Sequence, residues 1–172
     1  MRLMTPEQAK GMLHAILPVL KMEVATTYKV IHATPDDHLD YRPSDRCMPA
    51  GELVWHIASA EMMFLNCIAS GDFKFGGERP ANTETPSQIA EWYKHASATA
   101  VARIEAMSGE ELAKPMDFRG MMTMPAVGFI TFSMHHIIHH RGQLSSYIRP
   151  MGGHVPSIYG PSADDNPFAA KA

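Results

Sequence analysis

The sequence predicts an all-α protein, a four-helix bundle with long connecting loops and an irregular C-terminal tail. Three observations lead there. Glycine and proline divide the chain into four long blocks, two of the blocks open on full helix-cap signatures, and the two-residue alternation of β-strands is nearly absent. Four blocks of roughly 20 residues, each about 30 Å long as helix, suit the height of such a bundle.

The first block opens at Thr5-Pro6-Glu7-Gln8. Thr5 takes the N-cap, Pro6 the first helical position and Gln8 the capping-box place. The block runs to about Ala33, with Pro18 as the expected point of a kink. A polar, extended segment containing Pro35 and Pro43 follows. The second block starts near Pro49 and ends at Ser70-Gly71, where Gly71 suits a left-handed C-terminal cap. Residues 72–84 read as a long loop. Thr85-Pro86-Ser87-Gln88 then repeats the first cap signature and opens a third block that reaches about Met107. A short helix, SGEELAKP, and the turn-rich MDFRGMMTMP lead into the fourth block; residues 116–124 have room for one short hairpin. That block begins at Pro125 and stops before Pro150. The links 34–48 and 71–84 are long enough to carry crossovers or to cover one end of the bundle. Residues 152–172 hold too many Pro, Gly, Ser and Asp for regular structure.

Residues 1–172 read as a single domain, large enough to bury most of its apolar surface. A content of 45% hydrophobic and 19% charged residues is that of a globular chain, neither disordered nor membrane-spanning. A net charge of −3, a pI near 6.3 and scattered Lys and Arg give no footprint for nucleic acid. No run approaches the ~18 apolar residues of a membrane helix, so no membrane partner is expected. The N-terminal MLHAILPVL is short, follows Glu7 and contains His14 and Pro18, which does not read as a signal peptide. Cys47 and Cys67 form no CxxC and no disulfide scaffold, which points to a reducing cytoplasm.

Ten histidines are the compositional oddity, and four of them crowd into HHIIHHRGQL, residues 135–144. On a helix, residues three, four, seven and eleven apart share a face. From His136 this collects Phe129, Phe132, Ser133, His140, Gln143 and Tyr147, mostly large and apolar; from His135 it collects Thr131, His139, Gly142, Ser146 and Arg149. His136 and His140 are therefore expected to point inward, and His135 and His139 outward. In the second block His56 interrupts the apolar stripe Leu53, Ala60, Met63 and Cys67. Cys67 lies three turns on, about 16 Å along the axis, too far to share an ion with His56. His14, His32, His38 and His95 read as solvated surface.

A lone buried histidine is usually a hydrogen-bonded core residue. An i, i+4 pair on an apolar face is different, because two buried imidazoles are costly unless something shares their lone pairs. A divalent metal resolves that cost, and this spacing lets one helix present two nitrogens to one ion. From spacing alone the packing and metal readings both stay open. Were His56 to join His136 and His140, three neutral nitrogens would leave a coordination position free, the pattern of catalytic rather than structural zinc. Imidazole suits zinc, nickel, copper or iron.

GELVWHIASAE around His56, HHIIHHRGQLSSYIRPMGG and the closing VPSIYGPSAD resemble the DinB/YfiT-like family of metal-dependent four-helix-bundle proteins. The resemblance spans nearly the whole chain, the first and third helices matching in pattern alone. It implies His56, His136 and His140 as metal ligands, with His135 and His139 outside the HxxxHRGQ motif. It also implies a bundle, often dimeric, holding a divalent ion, zinc or nickel foremost and iron as a further choice. Characterised relatives are S-transferases that use low-molecular-weight thiols; many others have no established activity. The expected function is thus a metal-dependent transferase or hydrolase for a small molecule, working with an activated thiolate or water. A non-catalytic metal- or ligand-binding stress-response protein is the alternative.

Around the three histidines, Gln143, Glu52 and Tyr147 are candidates to orient a ring or a substrate. Packing or helix-dipole roles are the competing readings. Tyr159 is a further pocket or packing residue. Arg141, about 100° round the helix from His140, is expected in a salt bridge or a dimer contact. No carboxylate has a forced role as general base. If the tail folds over the metal end a small closed pocket results; an exposed site would suit a macromolecular partner.

Overall fold

The structure, a computed structural model, describes residues 4–74, 76–166 and 168. Four long helices account for most of it: α1 (Pro6–His32), α2 (Ala50–Ser70), α3 (Pro86–Ala106) and α5 (Ala126–Ile148). Between α3 and α5 lie a short α4 (Gly109–Ala113) and the hairpin β1 (Pro115–Phe118) and β2 (Met122–Pro125), paired from Pro115 with Pro125 to Phe118 with Met122.

Local chemistry sets the helix ends. The Thr5 hydroxyl accepts from the Gln8 N–H while the Thr5 N–H donates to the Gln8 side chain at 3.0 Å; Thr85 with Gln88 and Ser108 with Glu111 repeat the arrangement. Gly71 ends α2 at φ 74°, a conformation glycine enters without steric cost. α1 runs as one helix through Pro18, with the extent that the sequence suggested. Pro18 and His14 are both exposed, so the carbonyl that loses its donor faces water.

The long helices form a ring in which α2 packs on α3 and α5, and α1 packs on α3 and α5. Helices α1 and α2 are therefore diagonal, as are α3 and α5. Segment 33–49 carries the first diagonal crossover, as its length suggested. The second diagonal crossover is made by 107–125, through α4 and the hairpin, while 71–85 joins the neighbours α2 and α3. That loop is long because α2 and α3 run parallel, with Trp55 against Trp92 and Asn66 accepting from Arg103, so the chain returns along the side of α2 before α3 begins. The second crossover is anchored where α4 meets the start of α1: a Cβ on Gly109 would lie 2.6 Å from the Pro6 carbonyl oxygen.

One hydrophobic cluster draws on all four long helices, from Leu13, Leu20 and Ile31 through Leu53, Ile57 and Ile68 to Ile104, Phe129 and Ile148. α2 has the length and hydropathy of a membrane span, but 61% of that window is buried inside the bundle.

Charge is also buried here. Arg141 is 1% exposed and its Nη2 donates to Glu23 Oε2 at 2.6 Å; Nη1 donates to the Glu23 carbonyl and to Thr27 Oγ1, each at 3.1 Å. Tyr159, in the tail, accepts from Arg141 and donates to Glu23 Oε2 at 2.8 Å. Arg141 thus makes the intramolecular salt bridge expected of it. Beside this pair, buried Tyr93 donates to the Glu61 carboxylate, whose pKa burial pushes up to about 7.

Candidate metal centre

α2 and α5 are ring neighbours, and their facing sides bring His56, His136 and His140 together. One ligating atom from each lies within 4.8 Å of the other two, close enough for a single ion to bridge. The ring centroids are 4.5 Å apart for His56–His140 and His136–His140, and 5.2 Å for His56–His136.

The electrostatics favour the neutral form of His56 and His136. Burial, followed by the neighbouring imidazoles, pushes the His136 pKa down to about 4; burial and then His140 lower that of His56. Neutral imidazole is the ligating form. His136 Nε2 is buried with no hydrogen-bond partner, a polar atom with an unused lone pair. His140 Nδ1 lies 2.8 Å from Gln143 Oε1. That oxygen can only accept, so Nδ1 carries the proton and the Nε2 lone pair of His140 is left for a ligand. Phe64 packs 5.7 Å from His136 and continues into Phe73, Phe118, Phe129 and Phe132, an apolar wall behind the site. Three nitrogens, one of them orphaned, fit a divalent ion with positions left for an exogenous ligand.

The DinB family model matches residues 12–167. The chain belongs to the DinB family. It is 31% identical to the uncharacterised protein YjoA of Bacillus subtilis (strain 168) over 118 residues, 67% of this chain and 75% of that one. With YrdA of the same strain, also uncharacterised, it shares 28% identity over 151 residues, covering 84% and 86%. The crystal structure of the DinB-like YjoA superposes with a TM-score of 0.66 at 26% identity, over 80% of this chain and 92% of that chain. A DinB-like protein from Bacillus cereus ATCC 10987 gives 0.71 at 26% identity, over 86% and 97%. The helical bundle expected from the sequence is the fold of this DinB protein, and its three-histidine cluster could bind a metal.

The other candidates fall in different places. Gln143 reaches His140, as described. Glu52 is exposed on the first turn of α2 and lines a cleft with His56, without a hydrogen bond to the ring. Tyr147 lies away from the clefts, buried edge-on against Tyr41 at 5.6 Å and close to the Cys47 thiol. Tyr159 serves the Glu23–Arg141 pair. His135 and His139 are exposed, as are His14, His32, His95 and His154; His38 occupies a turn at φ 59° and not a helix.

Two clefts, of about 750 and 630 Å³, open beside His56 and share Trp55, His56, Ser59 and Arg79. The first is completed by Leu39, Asp40, Met48 and Glu84 from the flanking segments, the second by Cys67, Lys74 and Trp92. No described tail residue lines either cleft; the tail instead packs through Tyr159 on Glu23 and through Asp164 on Arg149 at 2.8 Å. The tail therefore does not close the metal end, and loops 39–49 and 74–84 flank it. Sequence reading passed over Trp55, Ser59, Trp92 and Arg79. The first two stand one turn apart on α2 beside His56, which helical spacing could have flagged. Arg79 comes from an irregular loop with no such signal.

Proposed function

We propose that this DinB protein is a metal-dependent enzyme acting on a small molecule, a thiol-dependent S-transferase or a hydrolase, with zinc, nickel or iron held by His56, His136 and His140. The observation carrying this reading is the unpartnered, buried Nε2 of His136 between two further imidazoles, from a second helix and from the next turn. A divalent ion bound there supplies Lewis acidity that lowers the pKa of a thiol or a water. The chain supplies the rest. Gln143 fixes the tautomer and the rotation of His140, the phenylalanine wall keeps bulk water from the back of the site, and the clefts at His56 admit a molecule of small size.

The test is metal-dependent consumption of low-molecular-weight thiols with a panel of electrophilic acceptors, or of hydrolysable esters and amides. Turnover that follows metal loading and disappears in His136→Ala supports the reading. Full metal occupancy without turnover on any acceptor favours the second reading, a metal- or ligand-binding stress-response protein. That reading draws on one observation: among the described residues the histidine cluster includes no carboxylate to serve as general base.

The same proposal places the protein in the cytoplasm as a homodimer with no nucleic-acid or membrane partner. Both cysteines are free, which suits a reducing compartment. An apolar groove between α1 and α3, lined by Val24, Ala25, Ala98, Val101 and Ala102, offers area for a second copy. Sedimentation equilibrium tests it, and a monomer at high concentration rejects the dimer.

A further inference from the structure

Arg79 is the cation that both clefts beside His56 share. Its guanidinium carbon stands 4.5 Å above the centre of the Trp55 ring, and Trp55 in turn packs against Trp92 at 5.2 Å. Thr83, fully buried, holds the guanidinium in place. Its Oγ1 accepts from Arg79 Nε at 3.1 Å and its carbonyl accepts from Nη2, while the Thr83 hydroxyl donates to the Pro80 carbonyl at 2.7 Å. These bonds occupy the Nε side of the guanidinium. Among the described residues its end edge, one N–H from each terminal nitrogen, has no hydrogen-bond partner, and no carboxylate lies within ion-pairing distance.

A planar cation fixed on an aromatic face, oriented by a buried threonine and left without an anion, is preorganised for one. The free end edge offers two parallel N–H groups, the pattern that a carboxylate accepts with both oxygens. A purely structural arginine would be expected to spend this edge on Glu78 or Glu84, both of which line the same clefts. It does not.

We propose that Arg79 receives the carboxylate of the small molecule that reaches the histidine centre, so that the substrate class is a metal-ligating compound carrying a carboxylate. This rests on the metal-centre reading for its other end, and on the Arg79 geometry for this one. Arg79 is a substrate-binding residue in this account, and Thr83 positions it.

The chain's two tryptophans are Trp55 and Trp92, so selectively excited tryptophan fluorescence reports on this site. Zinc-loaded protein is titrated with mercaptocarboxylates of increasing chain length and with the matching mercaptoalcohols. At the chain length that best spans the site, the carboxylate is expected to bind about fivefold more tightly than the alcohol, as for a charge pair open to solvent. Arg79→Gln removes this ratio and leaves the affinity for the alcohol unchanged, which also shows that the site is still folded; Arg79→Lys keeps part of it. Equal affinities at every length in the parent protein, or a ratio that survives Arg79→Gln, overturns the proposal. Metal-free protein titrated with acetate and ethanol separates the two claims. An acetate-specific, Arg79-dependent signal there supports the carboxylate site whatever zinc does, and failure to take up zinc counts against the metal centre.

Discussion

Replacing Arg141 by methionine should strand a buried charge, and the size of the effect follows from its surroundings. Arg141 is 1% exposed and Glu23 is 4% exposed. The substitution keeps most of the apolar stem but deletes the hydrogen bonds to Glu23 Oε2, the Glu23 carbonyl, Thr27 and Tyr159, leaving the Glu23 carboxylate with Tyr159 as its donor. Breaking a buried pair from one side costs about 3–5 kcal/mol. The retained Tyr159 bond argues for the lower end, about 3 kcal/mol, a large share of the 5–15 kcal/mol typical of a domain. Removing both charges at once, Arg141→Met with Glu23→Met, takes away the stranded ion, and the double variant is expected to lie within about 2 kcal/mol of the parent. Urea unfolding followed by circular dichroism at constant pH measures all four corners of this cycle. A single Arg141→Met loss under about 1 kcal/mol, or a double variant as unstable as the sum of the singles, would refute the premise that this pair is desolvated.

Three further outcomes follow from other parts of the molecule. Gln143→Ala frees the His140 ring and should weaken metal affinity by roughly tenfold without loss of helix; unchanged affinity by competition with a chromogenic chelator would remove Gln143 from the site. The Glu61 pKa is raised from 4.5 to about 7 in the folded state, so its protonated form stabilises the fold below pH 4.5, and that contribution, on the order of 3 kcal/mol, is lost as pH rises through about 7. The stability difference between Glu61→Gln and the parent should therefore shift in favour of the variant over that interval, and a flat difference contradicts the assignment. Gly109→Ala drives a methyl into the Pro6 carbonyl oxygen and should cost about 1–3 kcal/mol in urea unfolding, whereas a neutral result means that α4 moves freely against α1.

The features that local chemistry determines were legible in the chain. Thr5, Thr85 and Gly71 announce helix ends because a cap is made by residues three or four apart. The division between inward His136 and His140 and outward His135 and His139 follows from helical period alone, and the exposure of the latter two agrees with it. What depends on distant partners was not legible. Arg141 finds Glu23 across 118 positions, and nothing near either residue in sequence announces that their charges are buried together. Which links cross the bundle diagonally depends on how four similar helices choose neighbours, and length alone could not tell that 33–49 joins diagonal helices while 71–85 returns to a parallel neighbour. Arg79 and Thr83 act through loop geometry, where no periodicity exists to read.

Metal content tests the central claim most directly. Untagged protein, equilibrated with zinc, nickel or iron and dialysed, should retain one ion per chain by elemental analysis; His136→Ala should retain none while its far-ultraviolet circular dichroism is unchanged. Protein that holds no metal under any of these loadings, or a folded His136→Ala variant that holds as much as the parent, would contradict it.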